Sequence, residues 1–120
     1  MYKRQVAVAS QIQSHFREGD IVCRFGGEEF TVIAPGAAAT LIQRRVEALR
    51  LAIRDLTVVQ NGQTVGPVTM SFGVDSWSAG EDRPLREMLG AADRALFRAK
   101  RLGRDRLEIA GSTSAALAAE

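Results

Sequence analysis

Residues 24–30 read Arg-Phe-Gly-Gly-Glu-Glu-Phe, a glycine pair followed at once by two carboxylates. Ile21-Val22-Cys23 precedes them and Phe30-Thr31-Val32-Ile33 follows, both runs apolar and strand-favouring. A Gly-Gly pair between two such runs predicts a tight two-residue β-turn, because glycine enters positive φ cheaply. The turn would leave Glu28 and Glu29 at the start of the returning strand, beside backbone that no side chain covers. Adjacent carboxylates repel unless a positive charge sits beside them. A divalent cation held by hard oxygen ligands answers that need, with a triphosphate supplying the remaining oxygens.

A second group of charged residues lies far along the chain. Arg98, Lys100, Arg101, Arg104 and Arg106 crowd together, offset by Asp105. The plain reading is a solvated helix end whose cations suit the negative pole of the dipole. A third group, Arg17-Glu18-Gly19-Asp20, stands just upstream of the Gly-Gly pair.

The elements that must position these groups follow from hydrophobic spacing. Residues 4–17 read as a helix carrying Val8, Ile12 and Phe16 on one stripe. A hairpin over 21–34 comes next, apolar on both faces as inner strands are, and Pro35-Gly36 closes it. Residues 37–55 form a second helix, with Leu41, Ile42, Val46, Leu49 and Ile53 inward and Arg44, Arg45, Glu47 and Arg50 mostly outside. Asn61-Gly62 turns a minor hairpin between Thr57-Val58-Val59 and Thr64-Val65. Residues 68–74 are a strand containing Ser71 and Gly73. Pro84 opens the longest helix, lined by Leu85, Met88, Leu89, Ala92, Leu96, Ala99 and Leu102. Gly103 stops it. Asp93, within that helix, reads as a structural hydrogen-bonding residue. Residues 106–109 make a last short strand, and 111–120 are Ala/Ser-rich and expected to be a disordered tail.

This order predicts an α/β fold with a mixed or antiparallel central sheet flanked by helices. A ferredoxin-like β-α-β-β-α-β plan requires one more strand before residue 4. The chain has 120 residues, enough for one domain over 1–110 and a single core. A formal net charge of +2 gives no argument for a nucleic-acid partner. Cys23, the one cysteine, excludes an intrachain disulfide and reads as a small buried hydrophobe. His15 is also alone, which argues against zinc. No apolar run approaches the roughly 20 residues a membrane span needs, so a cytoplasmic location is expected.

The heptad closely resembles the signature of the GGDEF-domain diguanylate cyclases in its Gly-Gly-Glu-Glu-Phe form. Three further stretches resemble that family in the family's order. Arg17 to Asp20 looks like its R-x-x-D inhibitory site, and Thr69-Met70-Ser71-Phe72-Gly73-Val74 like its T-x-S-x-G-V strand. Ala92 to Arg104 is similar to its A-D-x-A-L-Y-x-A-K-x-x-G-R helix, with Phe97 in place of tyrosine and Asp105 following where asparagine is usual.

The resemblance implies a nucleotidyl-cyclase, ferredoxin-like palm and condensation of two GTP to cyclic di-GMP with release of pyrophosphate, in bacterial signalling. It implies that Glu28 is a metal ligand and acid–base residue and that Glu29 helps hold Mg²⁺, two ions per site, with Mn²⁺ able to substitute. Gly26 and Gly27 would admit substrate to the backbone, and Lys100 and Arg104, taken as i and i+4 on one helix face, would reach the triphosphate. Arg17 and Asp20 would bind cyclic di-GMP as product and inhibitor. Catalysis would need a homodimer. The family's opening strand and helix, with a metal-binding aspartate, have no counterpart before Glu18. The chain alone is therefore expected to be an inactive fragment, poorly stable or oligomeric. Two other readings stay open: a non-catalytic cyclic di-GMP receptor using Arg17 and Asp20, and a pure interaction module.

Overall fold

Helical spacing sets three helices, and each buries most of the stripe its sequence dictates. The computed structural model describes residues 2–25, 29–78, 80–111 and 116–119. Helix α1 (Tyr2–His15) buries Val8 and Ile12, and Phe16 packs on the same core just past its end. Strands β1 (Ile21–Phe25) and β2 (Glu29–Ile33) form a hairpin. Helix α2 (Ala39–Arg54) buries Ile42, Val46, Leu49 and Ile53, while Leu41 lies at the margin and is exposed. Strands β3 (Val58–Gln60) and β4 (Gln63–Val65) pair across Asn61 and Gly62, whose φ of 54° and 76° are those an Asn-Gly turn supplies. Then come β5 (Phe72–Val74), α3 (Leu85–Arg101), β6 (Leu107–Ile109) and β7 (Ala116–Ala119). Pro84 is the N-cap of α3, where a missing N–H costs nothing. Leu85 and Leu102, expected on the buried face of α3, are exposed at its two ends.

The main sheet has five strands in the order β1-β2-β7-β5-β6, antiparallel throughout except for β5–β6. This is the mixed, helix-flanked α/β sheet expected from the sequence. Strand alternation assigns the faces. Phe72 and Val74 join Val8, Ile12, Phe30, Val32 and the α2 stripe in the larger core. Gly73, between them, points the other way, toward α3.

One expectation fails here. β1 is an edge strand and not an inner one. Ile21 and Cys23 are exposed on it, so Cys23 is not a buried hydrophobe. An apolar hairpin of this length does not reveal which of its strands lies outermost. Of the stretch 111–120, read from the sequence as a tail, residues 111 and 116–119 are described. Residues 116–119 form β7, inserted between β2 and β5. The cause is the backbone of those two strands: their facing N–H and C=O groups lie over the core and require a partner strand.

A side chain at Gly73 is sterically excluded. A Cβ there would lie 2.1 Å from the Ala92 carbonyl oxygen and 2.3 Å from the Leu96 nitrogen. Both are helix backbone and cannot rotate away. Gly73→Ala should therefore destabilise the fold by about 3 kcal/mol or more in urea unfolding. At Gly19, where a Cβ meets nothing within 4 Å, the same change should stay within about 0.5 kcal/mol.

Candidate functional site

The ladders decide which strand ends meet. Ala119 of β7 pairs with Phe30 on one side and Phe72 on the other. Glu29, which precedes Phe30, and Ser71, which precedes Phe72, therefore lie at the same end of the sheet. Strand β6 runs parallel to β5 with Leu107 opposite Phe72, so the turn that leads from α3 into β6 arrives at that end too. Glu29 is exposed there, opposite Phe25.

The exit from α3 is a Schellman cap. The Arg104 N–H donates to the Ala99 carbonyl at 2.9 Å and the Gly103 N–H to the Lys100 carbonyl at 3.4 Å, with Gly103 at φ 124°. Arg104 and Asp105 stay left-handed, at φ 64° and 47°. The next two contacts tie this turn to β5: the Asp105 N–H donates to Ser71 Oγ at 3.1 Å, and the Phe72 N–H to the Arg106 carbonyl at 2.9 Å. Ser71 is buried, so its hydroxyl needs this partner.

Asp105 also reaches across to α2. Arg50 Nη1 donates to its Oδ1 at 2.8 Å, and Arg54 Nε lies 3.5 Å from its Oδ2. Arg50 is held in turn by Glu47, one turn earlier on α2. Hydrogen bonding from Glu47 outweighs the opposing effect of burial and, with Asp105, drives the Arg50 guanidinium further up from its ordinary value. It is a permanent cation.

The second charged group lies at the opposite end of the hairpin. Asp20 precedes β1, and Ile21 pairs with Ile33 at the far end of β2. About 14 Å of strand therefore separates Ile21 from Phe25. Asp20 accepts the Arg17 backbone N–H at 2.8 Å and Arg17 Nη2 at 3.0 Å, and its side chain is fully buried. Arg17 Nη2 also donates to the Pro35 carbonyl. Arg45, on α2, brings Nη1 to 4.0 Å from Asp20, and that nitrogen is buried with no hydrogen-bond partner among the described residues. Gln13, Phe16, Arg17, Glu18, Asp20 and Val22 line an open cleft here of roughly 340 Å³.

The structure thus brings Glu29, Lys100 and Arg104 to one sheet end and sets Arg17 and Asp20 at the other. Gly26, Gly27 and Glu28 lie outside the described residues. Phe25 pairs with Glu29, which leaves residues 26–28 between the paired ends, one more than a two-residue turn holds. Arg104 does not share a helix face with Lys100. The helix stops at Arg101, and the cap carries Arg104 away from it, exposed, while Lys100 is half-buried in the last turn. Asp93 is exposed, not buried in the apolar face. Sequence reasoning missed Arg45, Arg50 and Ser71 as partners of these groups. Only the Glu47–Arg50 spacing pointed to any of them.

The model of the diguanylate cyclase GGDEF domain matches residues 6–106. The chain belongs to the GGDEF domain family. Among curated relatives, this GGDEF domain is 41% identical over 103 residues to the diguanylate cyclase VdcA of Vibrio cholerae, covering 84% of the chain and 30% of that protein. It is 36% identical over 103 residues to the diguanylate cyclase DgcP of Pseudomonas aeruginosa, covering 86% and 15%. The chain thus spans less than a third of the length of either. Among solved structures, it superposes on the GGDEF domain of DgcB from Caulobacter crescentus, in complex with c-di-GMP, with a TM-score of 0.82 at 30% identity. That match covers 91% of this chain and 64% of the other. The diguanylate cyclase SiaD of Pseudomonas aeruginosa, in complex with its activator SiaC, gives 0.79 at 34%, covering 89% and 40%.

Asp105 gives a direct test of the turn. Asp105→Ala in this GGDEF domain should cost about 2 kcal/mol in chemical denaturation, since it removes an acceptor from a half-buried guanidinium and places alanine at positive φ. Asp105→Asn keeps an oxygen for Arg50 and tolerates the left-handed backbone, so its loss should stay within about 1 kcal/mol.

Proposed function

We propose that this GGDEF domain is the larger part of a diguanylate cyclase domain that condenses two GTP to cyclic di-GMP, inactive as this chain alone. The observation that carries this reading is the gathering of Glu29 and the Lys100–Arg104 turn at one end of the sheet. An acidic strand start beside a basic helix exit can hold a metal-bound triphosphate: carboxylates for the cations, long basic side chains for the phosphate oxygens.

In this reading Glu28 and Glu29 hold Mg²⁺. Water and phosphate oxygens would complete the shell, the mode Mg²⁺ favours. Mg²⁺ bound there would supply neutralisation of the charge that develops on the phosphoryl group. Lys100 and Arg104 grip the β- and γ-phosphates and orient the α-phosphate. Glu28 takes the proton from the 3′-hydroxyl of the opposing GTP as that oxygen bonds to phosphorus and pyrophosphate departs. Two such transfers, between two facing domains, close the ring.

A second reading is favoured by the other end of the hairpin. Buried Asp20, its partner Arg17 and the partnerless Nη1 of Arg45 border a cleft that could receive cyclic di-GMP. Guanine nitrogens would donate to Asp20, and the arginines would meet its phosphates or its base acceptors. The site would serve as product inhibition in an active cyclase, or as the whole function in a receptor.

One experiment separates the readings. The purified protein is incubated with GTP and Mg²⁺, its products are resolved by chromatography, and cyclic di-GMP binding is followed by calorimetry. A cyclase yields cyclic di-GMP, and chelation of Mg²⁺ stops it. Glu29→Gln should then lower kcat at least about 100-fold, and Lys100→Ala should raise KM for GTP about tenfold. Product from an upstream-extended protein but not from this chain marks a fragment of an active cyclase. A receptor gives no product from either, and its binding of cyclic di-GMP survives Glu29→Gln but is lost on Arg17→Ala.

A further inference from the structure

Asp105 is an awkward residue for the place it occupies. It follows Arg104 directly, and both are held left-handed, at φ 64° and 47°. A free carboxylate here would repel any phosphate brought to Arg104, and would offer that guanidinium a partner one residue away. The structure turns it elsewhere. The Asp105 carboxylate faces α2, where Arg50 Nη1 donates to Oδ1 at 2.8 Å and Arg54 Nε stands 3.5 Å from Oδ2. The Arg104 side chain is exposed and forms no ion pair among the described residues.

Arg50 does more than neutralise. The same Nη1 also reaches the Asp105 backbone carbonyl at 3.3 Å, while the Asp105 N–H goes to Ser71 Oγ. Every polar group of Asp105 is thereby engaged, by α2 on one side and by the entry to β5 on the other. The Arg104 backbone is fixed as well: its N–H closes the α3 cap on Ala99, and its carbonyl accepts from Arg106 Nε at 3.2 Å. Arg50 is in no position to bind phosphate itself. It is half-buried, with Glu47 on its Nε and Nη2 and Asp105 on its Nη1. Arg54 is more exposed and stands farther off, too solvated to hold the carboxylate alone.

We propose that Arg50 is a positioning residue for the phosphate site: it holds Asp105 against α2, keeps that carboxylate off Arg104, and so leaves the Arg104 guanidinium to the phosphates. This role rests on the reading of the sheet end as a triphosphate site, and it adds a residue of another element that touches no substrate. Without the Arg50 cation, Asp105 turns to its neighbour, and an Arg104–Asp105 pair closes the site from within. Charge separates this role from a clamp that merely stabilises the turn. Asparagine tolerates the same left-handed backbone and carries no charge to be held off. With asparagine at 105, the Arg50 cation becomes dispensable for binding.

The test uses the whole chain and inorganic tripolyphosphate with Mg²⁺, followed by calorimetry, with urea unfolding run on each variant. Arg50→Gln keeps a donor for the Asp105 carbonyl and removes the charge. It should weaken binding at least about tenfold, and adding Asp105→Asn should restore affinity to within about threefold of the unaltered chain. In an Arg104→Ala background, Arg50→Gln should change affinity less than about twofold. A clamp that only stabilises the turn gives the opposite pattern, because the second change loosens it further. Should Arg50→Gln alone fail to fold, Asp105→Asn is compared with the doubly changed protein, since neither holds an unpaired carboxylate at 105. The two should bind within about twofold of each other, and a larger gap overturns the proposal. No loss on Arg50→Gln, or a loss that Asp105→Asn does not restore, also overturns it and leaves the triphosphate reading standing. An unaltered chain that binds no tripolyphosphate overturns both.

Discussion

Backbone meets backbone where β5 passes under α3, and the geometry of the charged end depends on it. Because Gly73 has no side chain, the helix settles directly on the strand along Ala92–Leu96. The small residues Ala91, Ala92, Ala95 and Ala99 continue that close seam along the helix. A helix held this near has its C-terminal cap delivered to a definite place, just beyond the start of β5. The Ser71–Asp105 and Phe72–Arg106 bonds can then form over short distances. A larger residue at 73 would lift the helix, and the cap with it, away from those partners.

The hairpin connects two chemistries without mixing them. Its β1–β2 register is continuous from Ile21↔Ile33 to Phe25↔Glu29, so the ladder holds the Arg17–Asp20 pair and the carboxylate end at a set separation. The Arg17–Pro35 bond ties the first end to the exit of β2 as well as to the entry of β1. A ligand that drew Arg17 away would therefore disturb both strands of the hairpin at once.

Much of this was legible in the residues. The α2 stripe, the Asn61-Gly62 turn and the Gly103 stop follow from local spacing and φ preferences, and the structure keeps all three. The charged groups of the site were legible as types, since Glu29, Lys100 and Arg104 stand in short motifs. Their relative placement was not. Arg104 leaves the helix because the cap closes one residue before it, and periodicity does not register a cap's handedness. The edge position of β1, and with it the exposure of Cys23, depends on sheet order, which no local pattern encodes. β7 was illegible for the same reason. Ala-Leu-Ala-Ala carries no strand signal, and its conformation comes from the unpaired edges of β2 and β5. Arg50 looked like a surface cation because its partner Asp105 is distant in sequence.

The left-handed run at 103–105 places unequal demands on its three residues. Glycine at 103 meets the backbone requirement freely, and aspartate at 105 is one of the few side chains that tolerate it. Arg104 has neither excuse: at φ 64° a long unbranched side chain sits roughly 1 kcal/mol above its relaxed backbone. Selection for folding alone would drift this position toward glycine or asparagine. An arginine there carries conformational strain and places a guanidinium at the sheet end. The residue best suited to the turn and the residue best suited to the proposed phosphate contact are different, and here the turn has yielded.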